Sequence, residues 1–218
     1  MFALTTPYLW YTTRATGMVT LVLFTLVVSL GTLVANRVGG RTIGRFELNE
    51  LHRSVSLVAM VFLVIHILTT LLDSYVATGW LSPIVPFISP YRRVGVALGA
   101  VAFDLILAVW VSSLLKARVK QQSWRFIHWF SWLAFASAIA HAYLTGTDAK
   151  RGVGLAVVAA CTLVVLLSAL WRFFARPARA AGRTALSPLA AAPAGETLPA
   201  TSTAERDRAA RRSVQWRR

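Results

Sequence analysis

Five long apolar runs, separated by short polar connections, dominate the first 175 residues of this chain. Each run has about the 20 residues that an α-helix needs to cross a hydrocarbon core of roughly 30 Å. They lie near residues 13–35, 50–72, 93–115, 124–145 and 152–174. Of the 218 residues, 56% are hydrophobic and only 14% are charged, a composition typical of a membrane protein rather than a soluble domain. The sequence therefore predicts an all-α integral membrane helical bundle of about five transmembrane helices, multi-pass in the cell membrane.

The two ends of the chain differ in character. The first apolar run is too long for a signal peptide and no basic cluster precedes it, so we expect a mature helix and a transmembrane domain over residues 1–175. From residue 176 onwards the sequence is rich in alanine, proline, threonine and arginine and lacks apolar periodicity. This composition predicts a disordered basic cytoplasmic tail over 176–218, with a membrane-surface helix at 206–216 as an alternative.

Lysine and arginine are distributed unevenly among the connections, and such residues are retained on the cytoplasmic side. The first and third connections are basic, and so is the tail; the basic connection residues are Arg37, Arg41, Arg45, Lys116, Arg118 and Lys120. The connection over 73–90 has no basic residue, and the fourth has only Lys150 and Arg151. The pattern predicts an outer N-terminus and an inner C-terminus. The net charge of +15 accompanies no nucleic-acid-binding motif, so anionic lipid headgroups are the expected partner, and not nucleic acid.

Histidine is costly in a bilayer and usually functional there, and all four histidines of this chain lie in or beside apolar runs. His52 and His66 lie in the second run and His128 and His141 in the fourth, and these two helices should run in the same direction. His52 and His128 are then close to the cytoplasmic face, whereas His66 and His141 are roughly 20 Å further out. This arrangement predicts two b-type haems, one per pair. One haem, or none with each histidine bonded to a neighbouring helix, are the alternatives.

Helix phase is a stricter test of this hypothesis. A separation of 14 residues returns His66 to within about 40° of His52, which suits one shared face. A separation of 13 leaves His141 about 140° from His128 on a straight helix. A bulge or kink could re-phase the helix, the two ligands could approach from different sides, or one histidine could have another role.

The same segments resemble the ferric reductase-like transmembrane proteins, which include ferric reductases, the membrane part of NADPH oxidases and the haem subunit of the bacterial methionine sulfoxide reductase system. The resemblance covers about residues 12–150. It is carried by "RATGMVTLVL", "ELHRSVSLVAMVFLVIHILT", "VPFISPYRRVGVALGAVAFDL" and "WRFIHWFSWLAFASAIAHAYLTGTD". In the oxidases the haem-ligating pairs have these separations, 14 then 13. The resemblance implies His52 and His128 as ligands of an inner haem b and His66 and His141 as ligands of an outer haem b.

It also implies that electrons enter from a cytoplasmic flavoprotein reductase or quinol and leave to an outer acceptor, which would be ferric iron, oxygen or a redox protein. Two features depart from the family pattern. Only five helices are evident where many members have six, and no flavin or nicotinamide domain follows. The expected function is therefore transmembrane electron transfer as an oxidoreductase component. A quinol-oxidising cytochrome b subunit and a haem-free scaffold or proton pathway are the alternatives.

Several other residues could serve the same site. Haem propionates need cationic partners near the membrane faces, and the candidates are Arg14, Arg53, Arg92, Arg93 and Arg125. Each of these is equally an interfacial arginine that extends to lipid headgroups. Aromatic residues that could wall the inner haem are Trp124, Phe126, Trp129, Phe130 and Trp132. Asp104 could relay protons or contact a quinone, or be a hydrogen-bonded neutral carboxyl group. Cys161 is expected to be a small packing residue.

Overall fold

The computed structural model describes residues 7–36, 44–73 and 78–174. Five α-helices occupy most of them: α1 (Pro7–Ala35), α2 (Arg45–Leu72), α3 (Arg93–Leu114), α4 (Gln121–Thr145) and α5 (Gly152–Phe174). A short 3₁₀ helix, Asp148–Lys150, lies between α4 and α5, and the described residues include no β-strand. The predicted all-α class and helix number are confirmed. The predicted tail over 176–218, its alternative helix at 206–216, and the basic positions Arg37 and Arg41 lie outside the described residues.

Two helices begin earlier than the hydropathy predicts. α1 begins at Pro7 rather than near residue 13, and α2 at Arg45 rather than near residue 50. Proline suits the first turn of a helix because its missing N–H would have no intrahelical partner there. In α2, the Glu47 carboxylate accepts a hydrogen bond from the Gly44 backbone N–H at 3.0 Å, which closes the first turn. Both first turns are polar or aromatic, so a search for apolar runs does not include them.

Four of the five helices, α1, α2, α3 and α5, are long and apolar enough to cross a membrane. Large apolar side chains cover their outward faces, as expected for helices in contact with lipid; examples are Leu26, Val61, Val111, Leu163 and Leu166. These features indicate a multi-pass membrane protein. α4 is less apolar because two histidines, several serines, a glutamine pair and an arginine interrupt its sequence. The direction in which the chain crosses the membrane stays a prediction.

The helices pack as two hairpins. α1 lies along α2 and α3 lies along α4, whereas α5 packs mainly on α1. A small apolar cluster joins α1, α4 and α5, and it includes Leu21, Phe135 and Cys161. The prediction that Cys161 is a packing residue is thus confirmed. Among the described residues, no Cα pair within 8 Å joins α2 to α3 or to α4. The two hairpins therefore face each other across a space, and the histidines lie along it.

Candidate cofactor site between the two helix hairpins

The four histidines form two facing pairs across the space between α2 and α4. The ring centres of His52 and His128 are 6.4 Å apart, with the ring planes 61° from parallel. The ring centres of His66 and His141 are also 6.4 Å apart, with an interplanar angle of 78°. The structure thus brings together the two pairs that the sequence predicts. With 14 and 13 residues between partners on each helix, the pairs lie about 20 Å apart along the helices.

The spacing within each pair fits two imidazoles on opposite sides of one metal ion. Each metal–nitrogen bond is about 2 Å and the ring centre lies roughly 1 Å beyond the nitrogen, so two opposed ligands have ring centres about 6 Å apart. Within the described residues, no group of three or more His, Cys, Asp or Glu side chains is placed to hold a metal ion. Two imidazoles are nevertheless a sufficient protein donor set for an iron porphyrin, because the macrocycle supplies the other four nitrogens.

Backbone carbonyl groups of neighbouring helices orient three of the four imidazoles. The Nδ1 atoms of His52 and His66 lie 3.1 and 2.9 Å from the carbonyl oxygens of Val27 and Thr13 on α1. His141 Nδ1 lies 2.8 Å from the Gly95 carbonyl oxygen on α3. A carbonyl only accepts, so Nδ1–H donates in each case and Nε2 keeps the lone pair that a metal requires. Such outer hydrogen bonds typically fix the ring orientation of ligating histidines.

Three glycines, the cradle glycines Gly17, Gly31 and Gly99, make room for these three rings. A Cβ on Gly99 would lie 2.6 Å from His141 Nδ1, and one on Gly17 would lie 2.9 Å from His66 Cε1. A Cβ on Gly31 would lie 3.3 Å from His52 Cε1. The first two distances are too short for real contacts, so only glycine lets these rings lie against the neighbouring helix.

The carbonyl groups that accept from the histidines and the cradle glycines are related by a constant spacing, which was not recognised from the sequence. Each carbonyl that accepts from a histidine belongs to the residue four positions before a cradle glycine, one helical turn away. The pairs are Thr13 with Gly17, Val27 with Gly31, and Gly95 with Gly99. On α1 the two copies are 14 residues apart, the same separation as His52 and His66 on α2. The matched spacing of the glycines on α1 and the histidines on α2 is the sequence signal from which this pattern could have been predicted.

The phase problem on α4 is resolved without a bulge. α4 is one uninterrupted α-helix from Gln121 to Thr145, and both of its histidines nevertheless face partners on α2. Since an α-helix turns about 100° per residue, the two side chains leave α4 in different directions. Of the three explanations, the structure thus supports approach from different sides of the helix.

A cavity of about 1590 Å³ encloses both pairs. It exceeds the roughly 300–1,000 Å³ that is usual for a site holding one small molecule. Residues of all five helices line it, and the connection before α3 contributes Thr78, Ser82 and Tyr91 beside the His66–His141 pair. The cavity, the ring spacing and the glycine cradles together fit a large flat group held at each pair.

A protein-family profile described as "Domain of unknown function (DUF8596)" matches residues 8–148. The chain belongs to this family. The matched region runs from the first turn of α1 to the start of the 3₁₀ helix, so it contains all four histidines and the three cradle glycines. No curated protein matches the chain, and no solved structure matches it.

All five predicted propionate partners lie in the DUF8596 region, but they have different surroundings. Arg53 and Arg125 line the cavity beside the His52–His128 pair, and their role as propionate partners stays a prediction. Arg14 lines it near His66, where its Nε lies 2.6 Å from Asp148 Oδ2 and its guanidinium stacks over Trp10 at 4.2 Å. Arg14 Nη2 also donates to the Thr147 hydroxyl group.

Arg92 and Arg93 contact backbone instead of the cavity. Arg92 Nη1 donates to the carbonyl oxygens of Leu144 and Thr145, at 2.9 and 2.8 Å, and so caps the C-terminal end of α4. Arg93 Nε donates to the Phe87 carbonyl oxygen. Neither residue lines the cavity in the described structure, and their role as propionate partners stays a prediction.

Of the predicted aromatic and acidic residues, some line the cavity and others do not. Trp124, Trp129 and Trp132 line the cavity, whereas Phe126 and Phe130 pack on each other with ring centres 5.3 Å apart. Asp104 is half-buried on α3 and does not line the cavity. Beyond the DUF8596 region, Arg172 on α5 lines the cavity and donates to Asn36 Oδ1 at 2.9 Å. Sequence reasoning missed Arg172 because nothing in its surroundings on α5 distinguishes it from an interfacial arginine.

Proposed function

We propose that this protein transfers electrons across the membrane through two b-type haems, one held by His52 and His128 and the other by His66 and His141. The observation that carries the proposal is the repetition of one geometry: two imidazole pairs, each with ring centres 6.4 Å apart, within one cavity. When bound, haem iron supplies one-electron oxidation and reduction at a potential set by its ligands and surroundings. On this proposal the protein is ferric reductase-like, as its resemblance implies.

The chain's own residues would then have three tasks. His52, His66 and His141 present Nε2 to the cavity centre, because their Nδ1–H groups are held by backbone carbonyls. Apolar residues of α1 and α3 in the lining, such as Phe24, Phe103 and Ile106, would limit solvent access and so help to set the redox potential. Arg53 and Arg125 would pair with the haem propionate groups at the end of the cavity beside His52 and His128.

The charge of the cavity lining supports a direction for electron flow. Four basic residues, Arg53, Lys116, Arg125 and Arg172, line the end beside His52 and His128. The opposite end has the acids Asp73 and Asp148 and one basic residue, Arg14, which is paired with Asp148. Under the positive-inside rule the basic end faces the cytoplasm. A cytoplasmic flavoprotein reductase or a quinol would donate there, and an outer acceptor such as ferric iron, oxygen or a redox protein would take electrons beside His66 and His141.

The absorption spectrum of the purified protein tests this proposal. Full-length protein, produced with ample haem precursor and purified in detergent, should show a Soret band and a reducible α-band, with two haems per chain. Replacing both His66 and His141 by alanine should leave one haem per chain. Ser131→Ala, a change to another cavity-lining residue, is the matched control and should keep both.

A folded but colourless protein would overturn the proposal and leave the scaffold or proton pathway. Haem reduction by a quinol analogue, compared with reduction by a flavin reductase and nicotinamide, would identify the class of donor. Reduction by the quinol alone would favour the quinol-oxidising cytochrome b subunit.

A further inference from the structure

His128 differs from the other three histidines in what holds its ring. Its Nδ1 atom is buried, and no hydrogen-bond partner for it is found among the described residues. His52, His66 and His141 each donate from Nδ1 to a helix carbonyl group. A buried imidazole N–H without an acceptor is destabilised relative to one that is bonded, so ligation through Nε2 is less favourable at His128 than at its counterparts.

The reason lies on α3, where the acceptor-and-glycine pattern is broken. The positions that correspond to Gly95 and Gly99 are Ala108 and Ser112 if the 13-residue separation of His128 and His141 is used, and Val109 and Ser113 if the 14-residue repeat of α1 is used. In either register a serine replaces the glycine. The Ser113 hydroxyl donates to the Val109 carbonyl oxygen at 2.8 Å. The Ser112 hydroxyl donates to the same oxygen at 2.9 Å. The Val109 carbonyl oxygen, the acceptor in the 14-residue register, thus already accepts from two side-chain hydroxyl groups.

An aromatic side chain orients the His128 ring instead. Trp124, one helical turn earlier on α4, stacks on it with ring centres 5.0 Å apart and planes 30° from parallel. The Trp124 Nε1 donates to the Ser113 hydroxyl at 3.4 Å, and Lys116 Nζ lies 4.3 Å from the indole ring centre. Stacking limits the tilt of a ring but gives no directional bond to its nitrogen, so it fixes the ring less firmly than a carbonyl acceptor.

We propose that His128 is the exchangeable ligand of the four, and that the His52–His128 site binds small neutral ligands such as carbon monoxide or imidazole in its place. This inference rests on the proposed function, since it requires a metal between the paired rings. The His66–His141 site, with both rings bonded to carbonyls, stays closed to such ligands. The two sites then differ in chemistry although their ring spacing is the same.

Two single-site proteins test the proposal. His66→Ala/His141→Ala retains the His52–His128 site, and His52→Ala/His128→Ala retains the other. Each is loaded with haem, reduced with dithionite and exposed to carbon monoxide, and the Soret shift is followed in time. We expect the first protein to bind carbon monoxide about tenfold or more faster than the second, since loss of an outer hydrogen bond typically weakens metal ligation by that factor. Equal rates, or faster binding by the second protein, would overturn the proposal.

A second measurement leaves all four histidines in place, in case a single-site protein does not fold. Ser112→Ala/Ser113→Gly removes the hydroxyls from Val109 and restores the glycine, so carbon monoxide binding should slow toward that of the closed site. Thr162→Ala is the matched control, because it removes a hydroxyl bonded to the Val158 carbonyl on α5 at 2.7 Å, away from the cavity lining. An unchanged rate in the double variant would overturn the proposal.

The two proposals fail in distinguishable ways. A protein that takes up no haem overturns the proposed function itself. A protein with two low-spin haems that both exclude carbon monoxide overturns only the assignment of His128 as the exchangeable ligand.

Discussion

At the scale of single residues, the absence of a methyl group decides where the histidine rings lie. Gly99 has no Cβ, so the His141 ring lies against α3 and its Nδ1 reaches the Gly95 carbonyl oxygen at 2.8 Å. Any larger residue at 99 would occupy the space of the imidazole. The same holds for Gly17 beneath His66. Small residues commonly let membrane helices approach closely, and here they admit a functional side chain as well.

On the proposed function, Gly99→Val should remove one of the two haems. Its side chain would displace the His141 ring, whose Nδ1 lies 2.6 Å from the position of a Cβ, while the His52–His128 site is unaffected. Haem content per chain, measured from the absorption of the purified variant, should fall by half. Gly44→Ala is the control, because a Cβ there meets nothing closer than 3.8 Å. Full haem content in Gly99→Val would contradict the cradle role.

Residue-level roles were only partly predictable. The pairing of the four histidines followed from their depth in two co-directional helices, because sequence separation converts directly into rise along a helix. The acceptors of those histidines did not follow, since Thr13, Val27 and Gly95 act through backbone atoms on other helices. Their identity depends on the register between two helices, which no single segment specifies.

At the scale of elements, the arginine at the start of α3 stabilises the end of α4. Arg92 follows a connection that turns sharply, with positive φ angles of 68° at Phe87 and 37° at Arg92 itself. Its guanidinium donates to the last carbonyl groups of α4, where a helix lacks intrahelical donors and the dipole favours a cation. The sequence indicated an interfacial arginine, but the contact spans about fifty residues and so could not be recognised from the local pattern.

Arg92→Gln should lower stability without changing haem content. Loss of the two bonds to α4 should cost about 1 kcal/mol, since the group is exposed and screened by solvent. A thermal unfolding midpoint measured in detergent should fall, whereas Arg151→Gln, at an exposed cation before α5, should leave it nearly unchanged. If haem content fell and the midpoint did not, Arg92 would instead be the propionate partner that the sequence analysis predicted.

The predicted and observed helix ends agree where an apolar run stops at polar residues, and differ where a helix begins with polar or aromatic residues. The ends of α3, α4 and α5 agree with the sequence to within a few residues because apolar interiors stop abruptly at polar connections. α1 and α2 extend further, since their first turns carry Tyr8, Trp10 and Glu47, which an apolar window excludes. The directions in which the two histidines leave α4 could not be predicted either, because helical geometry alone allowed three explanations for histidines 13 residues apart.

At the scale of the whole molecule, its orientation in the membrane rests on the distribution of basic residues. Lys116, Arg118 and Lys120 follow α3, whereas the described part of the connection between α2 and α3, residues 78–92, has no basic residue before Arg92. The positive-inside rule therefore predicts that the α3–α4 connection lies in the cytoplasm.

Cysteine labelling tests that orientation. The chain has one cysteine, Cys161, and it is buried, so the unmodified protein provides a low background. In intact cells, a membrane-impermeant thiol reagent should label Val85→Cys in the α2–α3 connection, which is exposed. Ala117→Cys, between α3 and α4, should react only after the cells are opened. The opposite result would reverse the topology and the direction of electron flow.

The lack of direct packing between α2 and the α3–α4 hairpin has a consequence for how the protein matures. The two hairpins contact each other chiefly through α1 and α5. A bound group that contacts both α2 and α4 would therefore link the hairpins and stabilise the folded protein by mass action. On the proposed function, chains without the bound group would be less stable and therefore more exposed to proteolysis. If the proposed haems are that group, the steady-state abundance of this protein in a cell should depend on the supply of haem as well as on the rate of synthesis.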